Sequence, residues 1–148
     1  KRQSLHRLAG ALDVHITAFF EVPQARSRLV LTRRGQRPYS GYDELRLESL
    51  GSGLETRILD PFEVTLQAGA GSGQQEMRHG GHELVYCLEG ELEYTVEGKT
   101  HLLGAGDALL FEASLRHSWR NPGSTVTKFV MVFGACEDHD SLTHHLQA

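Results

Sequence analysis

His79, His82 and Glu83 crowd around Gly80-Gly81, and His117 follows four residues before Asn121. Imidazole nitrogens and carboxylate oxygens are the usual donors for a divalent first-row metal, with positions left for water or a ligand. Such donors work only if the backbone brings them together. Side chains alternate along a strand, so Met77 and His79 share a face if they lead into a hairpin at Gly80-Gly81. Glu83 on the returning strand then converges with His79, and His117 closes the set from a third strand. His82 precedes Glu83 and points to the other face unless the glycine turn twists it inward. The same residues also fit solvated histidines beside a turn, because short motifs often match by chance. Cys87, Tyr94 and Trp119 are pocket candidates. Cys87 lies in an apolar run, buried and inert unless its thiol touches a ligand. Trp119 either lines the pocket mouth or simply packs.

The elements that must hold these residues are short strands. Leu45–Leu50 alternates, as do Phe62, Val64 and Leu66, and both stretches end in glycine-rich turns. Leu84–Leu88 is a continuous apolar run, which predicts a strand buried on both faces. Leu92, Tyr94 and Val96 alternate with polar neighbours, so one face of that strand is wet. Thr100–Leu103, Ala108–Phe111 and Val126–Phe133 complete eight or more strands, which implies a closed or double-sheet antiparallel barrel. Gly69–Gly73 lacks the helix and lysine of a phosphate loop and reads as a turn. Upstream, Leu5, Leu8, Ala9 and Leu12 form a helical stripe with Ser4 as N-cap, and Thr17 caps a second short helix that Pro23 stops. Residues 24–38 read as a basic linker whose apolar trio Leu29–Leu31 enters a first strand. The histidines of the polar tail, His139, His144 and His145, read as solvated.

A chain of 148 residues with 39% apolar and 23% charged residues suits one main domain and argues against wholesale disorder. Two cysteines exclude a disulfide framework and a four-thiolate zinc site. With no membrane-length apolar run and no signal-peptide pattern, a cytoplasmic location is expected. Residues 1–38 carry +6 and the remainder −10, a basic head on an acidic body that suits either a polyanion-facing segment or a solvated linker. The chain opens on Lys1 rather than methionine, so an upstream segment is expected.

From Pro61 to Gly134 the spacing resembles the cupin family. Gly71, Met77-Arg78-His79, Glu83 and Gly90 fall in the register of its first motif, and Gly106, His117 and Asn121 in that of its second. Glu112 and Ser114 replace the second motif's proline and glycine, and Met77 replaces the first ligand histidine. The resemblance implies a mainly β protein, a double-stranded β-helix or jelly-roll barrel, with His79, Glu83 and His117 as metal ligands. Met77 and His82 are further candidates for the metal or pocket. Zinc, iron, manganese or nickel would be held weakly, a thioether being a poor donor in such a site.

Ser4–Glu21 resembles the last two helices of the lambda-repressor-like (XRE) helix-turn-helix family through Leu5, Leu8, Ala9, Leu12, Val14, Ile16, Phe19 and Phe20. Together the two resemblances imply a bacterial transcriptional regulator of four parts. These are a helix-turn-helix remnant at 1–22, a basic linker and first strand at 23–38, a ligand-sensing cupin domain at 39–136 and a His-rich tail at 137–148. Its expected partners are operator DNA, a small polar effector such as an amino acid or polyamine, and a second copy in a two-fold dimer. On that resemblance the recognition helix lies upstream of Lys1, so residues 1–148 alone are expected to lack sequence-specific DNA binding. The rival expectation is a stand-alone metal-dependent cupin enzyme, a dioxygenase or isomerase.

Overall fold

The computed structural model describes residues 27–134, so the helix-turn-helix remnant at 1–22 and the tail at 137–148 lie outside the described residues. Nine strands follow in order: β1 (Tyr39–Gly41), β2 (Leu45–Ser49), β3 (Leu59–Leu66), β4 (His82–Glu89), β5 (Leu92–Val96), β6 (Lys99–Leu103), β7 (Ala108–Glu112), β8 (His117–Arg120) and β9 (Thr127–Gly134). They form a six-stranded sheet, β1-β2-β3-β9-β4-β7, and a three-stranded sheet, β6-β5-β8. All pairs within these sheets are antiparallel. The described residues are mainly β and form a jelly-roll sandwich, the fold that the cupin resemblance implies.

The period-two alternation in the sequence becomes a set of inward rows, because the strand registers bring inward residues side by side. One row runs Asp60, Phe133, Glu83 and Phe111 across β3, β9, β4 and β7. The next holds Phe62, Met131 and Val85, and the one below it Val64, Phe129 and Cys87. Charged and aromatic side chains therefore occupy one end of the barrel, above apolar layers that are almost wholly buried.

Three local expectations change. Leu29–Leu31 forms no strand: Leu29 and Leu31 are exposed, a single 3-10 turn covers Arg34–Gln36, and the first strand waits until Tyr39. Leu84–Leu88 is buried on one face only, since Val85 and Cys87 point inward while Leu84, Tyr86 and Leu88 point out and are 36–42% exposed. An antiparallel sandwich covers only the inner face of each sheet, and an outward apolar row has no covering layer. Finally, the Gly80-Gly81 turn does not close a hairpin, because β9 lies between β3 and β4.

Residues 67–81 instead cross the barrel and run antiparallel to β8, with bridges Gly71–Arg120 and Met77–His117. The Met77 and His117 amides each donate to the other's carbonyl, at 2.8 and 2.9 Å. Gly71 makes this crossing sterically feasible: a Cβ there would sit 2.4 Å from the Trp119 carbonyl oxygen. Gly71→Ala is accordingly expected to cost about 1–3 kcal/mol and to lower the melting temperature by several degrees. Urea denaturation of the two proteins checks this, and equal stability would refute the packing account.

Candidate metal centre

The crossing segment and two strands assemble one buried cluster. His79 comes from the crossing segment, Glu83 from β4 and His117 from the start of β8; all three are buried, and their ligating atoms lie within 4.8 Å of one another. Glu83 is the hub. Its Oε1 lies 3.3 Å from Nε2 of both His79 and His117, and its Oε2 accepts the Tyr94 hydroxyl at 2.5 Å.

The far nitrogens set the chemistry of the near ones. His117 Nδ1 donates to the Leu115 carbonyl at 2.7 Å, and His79 Nδ1 to the Gly80 carbonyl at 3.2 Å. A carbonyl only accepts, so each Nδ1 bears a proton, and in the neutral ring Nε2 carries a lone pair. Both lone pairs then face a carboxylate oxygen, an arrangement that needs a positive charge among them, either a proton or a metal cation. His117 Nε2 is buried without hydrogen-bond geometry to any described group. The donor set fits a divalent cation on this ground.

Electrostatics agree with the geometry. Burial pushes Glu83 up, but the adjoining His117 and His79 imidazoles outweigh it and bring it down to about 2. Burial pushes His117 down, yet the adjoining Glu83 carboxylate, helped by the Leu115 carbonyl and Glu76, lifts it above its ordinary value. Burial, together with the Glu83 charge, keeps the Tyr94 phenol protonated and thus a donor. Tyr94 orients the carboxylate from behind, the role that outer partners play around metal ligands.

The other sequence candidates scatter. Met77 lies opposite His117 across the bridge and packs partly buried against the core. His82 is exposed on the outer face of β4, as strand alternation requires once the Gly80-Gly81 turn precedes the strand. Cys87 sits two rows below Glu83, its thiol directed at the Glu89 and Gly90 carbonyls, so it packs rather than faces the cluster. Trp119 is not at the mouth: it stacks on Tyr94 at 6.4 Å and meets Phe129 edge-on in the interior. Phe133 and Phe111 flank the imidazoles, at 5.0 Å from His79 and 4.9 Å from His117.

Asp60 was not anticipated. It is buried in the same inward row, two strands from Glu83. Arg57 approaches one oxygen at 3.7 Å, and among the described residues Oδ2 has no hydrogen-bond partner. The signal was in the alternation, since Asp60 precedes Phe62, Val64 and Leu66 on the same face.

Residues 62–133, just under half of the chain, match the family model Cupin_2, the cupin domain. Over most of its length the chain is also distantly similar to transcriptional regulators. It is 23% identical over 128 residues to the HTH-type transcriptional regulator PuuR of Escherichia coli (strain K12), covering 86% of this chain and 69% of that protein. The crystal structure of the Cupin_2 domain of an XRE family transcriptional regulator from Enterobacter cloacae superposes with a TM-score of 0.58, at 24% identity, over 64% of this chain and all of that one. Hydroxypropylphosphonic acid epoxidase from S. wedmorenis superposes with a TM-score of 0.62, at 20% identity, over 71% of this chain and 59% of that one. Among the described residues no helix is long and apolar enough to cross a membrane.

Burial pushes Asp60 from 3.8 up to about 6, the Arg57 charge opposing only in part. The fold prefers the protonated form, so this group's contribution to stability is fully present below the unfolded value and is lost as pH rises through the folded one. Asp60→Asn is expected to match the parent near pH 4 and to exceed its stability at pH 8 by up to about 3 kcal/mol. Urea denaturation at pH 4, 6 and 8 measures the difference; a gap independent of pH would contradict the assignment.

Proposed function

We propose that this chain is the sensing part of a transcriptional regulator. Its barrel binds a small-molecule effector at the His79–Glu83–His117 centre, and a helix-turn-helix at residues 1–22 and upstream binds operator DNA. The observation that carries this reading is the similarity to PuuR, which spans 86% of the chain and therefore much more than the cupin core. A homodimer suits two half-sites, and the outward row of Leu84, Tyr86 and Leu88, with Leu110 beside it, offers a second copy an apolar surface.

His79, Glu83 and His117 are the residues that would hold a divalent cation, which would act as a Lewis acid that polarises and fixes an oxygen of the effector. The chain's own part is positioning: Tyr94 pins the carboxylate, and the Leu115 and Gly80 carbonyls fix both imidazoles. Coupling to DNA has a physical route through the linker. Arg37, at its barrel end, pairs with Glu63 at 3.2 Å and with Glu48 at 3.8 Å. An effector changes DNA affinity only by binding the competent and incompetent states differently, typically by 1–3 kcal/mol.

One observation favours the enzyme reading. Two imidazoles and one carboxylate are the donor set of non-haem iron(II) oxygenases. Oxygen uptake by the iron-loaded protein, with turnover of an organic substrate and without specific DNA binding, would establish that reading instead.

Purified protein is expected to carry substoichiometric divalent metal that a chelator removes. His79→Ala and His117→Ala should abolish binding, Tyr94→Phe should weaken it by about tenfold to a hundredfold, and Met77→His should tighten it by adding a donor beside His117. Metal analysis and competition titration check these outcomes; no retention in either the wild type or Met77→His would remove the metal site. The intact gene product is expected to bind a two-fold operator in its own promoter region, more weakly as salt rises. Gel-shift titration tests this, and binding no stronger than to random DNA would remove the regulator.

A further inference from the structure

The hairpin between β5 and β6 closes on two residues, Glu97 and Gly98, because Val96 pairs with Lys99. Both have positive φ, 49° and 78°, the pattern of the type I′ turn that asparagine-glycine and aspartate-glycine favour. Glutamate is out of place in the first position. Among the described residues Glu97 is the one non-glycine residue in the left-handed region, which an L side chain adopts at a cost. Such outliers persist where the surrounding contacts hold them.

The contact here is a two-point clamp on Arg116. The Glu97 amide donates to the Arg116 carbonyl at 2.8 Å, and Glu97 Oε2 accepts the Arg116 amide at 2.7 Å. That amide belongs to the same planar peptide unit as the Leu115 carbonyl, which accepts His117 Nδ1 at 2.7 Å. In a trans peptide the N–H and C=O point in opposite directions, so fixing one fixes the other. An unbroken path therefore runs from an exposed carboxylate, through one rigid peptide, to a buried imidazole of the centre. The other end of this turn is tied to the crossing segment. The His79 amide donates to the Ala113 carbonyl at 2.9 Å, and the Ala113 amide donates to the Gly81 carbonyl at 3.0 Å. Glu97 secures the end next to His117.

Geometry outweighs charge along this path. A carboxylate acceptor polarises the peptide and strengthens its carbonyl as an acceptor. Glu97 is exposed, however, and water and salt screen its charge. A side chain long enough to reach Arg116 with any acceptor supplies most of the effect, and a shorter one supplies none.

We infer that Glu97 is a positioning residue for the centre. Through the Leu115–Arg116 peptide it holds the His117 Nδ1–H in place and keeps Nε2 turned toward Glu83 Oε1, 3.3 Å away. The inference rests on the reading of His79, Glu83 and His117 as a metal centre.

Two variants of the 148-residue chain separate this role from turn stability. Glu97→Asn suits the type I′ turn better but falls short of Arg116, whereas Glu97→Gln keeps the length and a neutral acceptor. In zinc competition titration Glu97→Asn should bind roughly threefold to tenfold more weakly, less than the loss for a group that touches a ligand directly, with Glu97→Gln within about twofold of the parent. The His117 Nδ1–H resonance should be downfield and slow to exchange in the parent, with or without zinc. In Glu97→Asn alone it should move upfield and exchange faster, while the urea midpoint does not fall. A parent-like resonance in Glu97→Asn overturns the inference, as does its loss in Glu97→Gln or a loss of zinc affinity that only follows a loss of stability. If Glu97→Asn fails to fold, hydrogen exchange of the parent's Arg116 amide decides: protection supports the clamp, and exchange at the rate of a free peptide overturns it. The expected resonance change in a protein that binds no zinc supports the positioning path while removing the metal centre.

Discussion

One buried carboxylate organises the functional end of this barrel. Glu83 turns one oxygen toward two imidazoles and the other toward a phenol, and no water is needed to satisfy it. Burying a carboxylate in a low-dielectric interior is strongly unfavourable unless charge and donors surround it. The neighbours therefore have to arrive from separate parts of the chain: the crossing segment, β5 and β8. The cluster calls for a positive charge at this point, from a proton or a cation, and the carbonyls behind each imidazole determine which nitrogen faces the carboxylate.

Below that polar end the structure is ordinary sandwich core. Phe62, Val64, Val85, Phe129 and Met131 fill the rows beneath Glu83, with Tyr94 and Trp119 stacked against them from the small sheet. The division is useful physically. A close-packed apolar base holds the strands rigid, so the cluster above is fixed to within small displacements and its hydrogen bonds remain aligned. Asp60 belongs to the same polar end but lacks the surrounding donors that make Glu83 tolerable, which sets the two buried carboxylates apart: one drawn down to about 2, the other pushed up to about 6.

A sensor and an oxygenase can share this barrel, because a fold supplies a place for chemistry rather than the chemistry itself. This chain carries a thioether opposite His117, an Asp60 oxygen that no described residue meets and a basic linker tied to the sheet through Arg37. A sensor needs ligand recognition and a mechanical connection to another module; it does not need a full complement of metal donors. These three features fit that requirement together.

The strand pattern was legible in the sequence, because inward and outward residues alternate with period two in β2, β3 and β5. The spacing of Gly71, His79, Glu83, Gly90, His117 and Asn121 likewise carried the cupin architecture and pointed to the three residues that cluster. Pattern could not say that Leu84, Tyr86 and Leu88 lie outward, since a continuous apolar run reads the same whether one face is covered or both. Nor could it place Met77 against β8 rather than in a hairpin, because that depends on β9 entering between β3 and β4. Tyr94's bond to Glu83 and the unmet oxygen of Asp60 also belong to the tertiary structure alone. Local sequence sets which way a side chain faces, while only the strand registers decide which inward-facing groups meet.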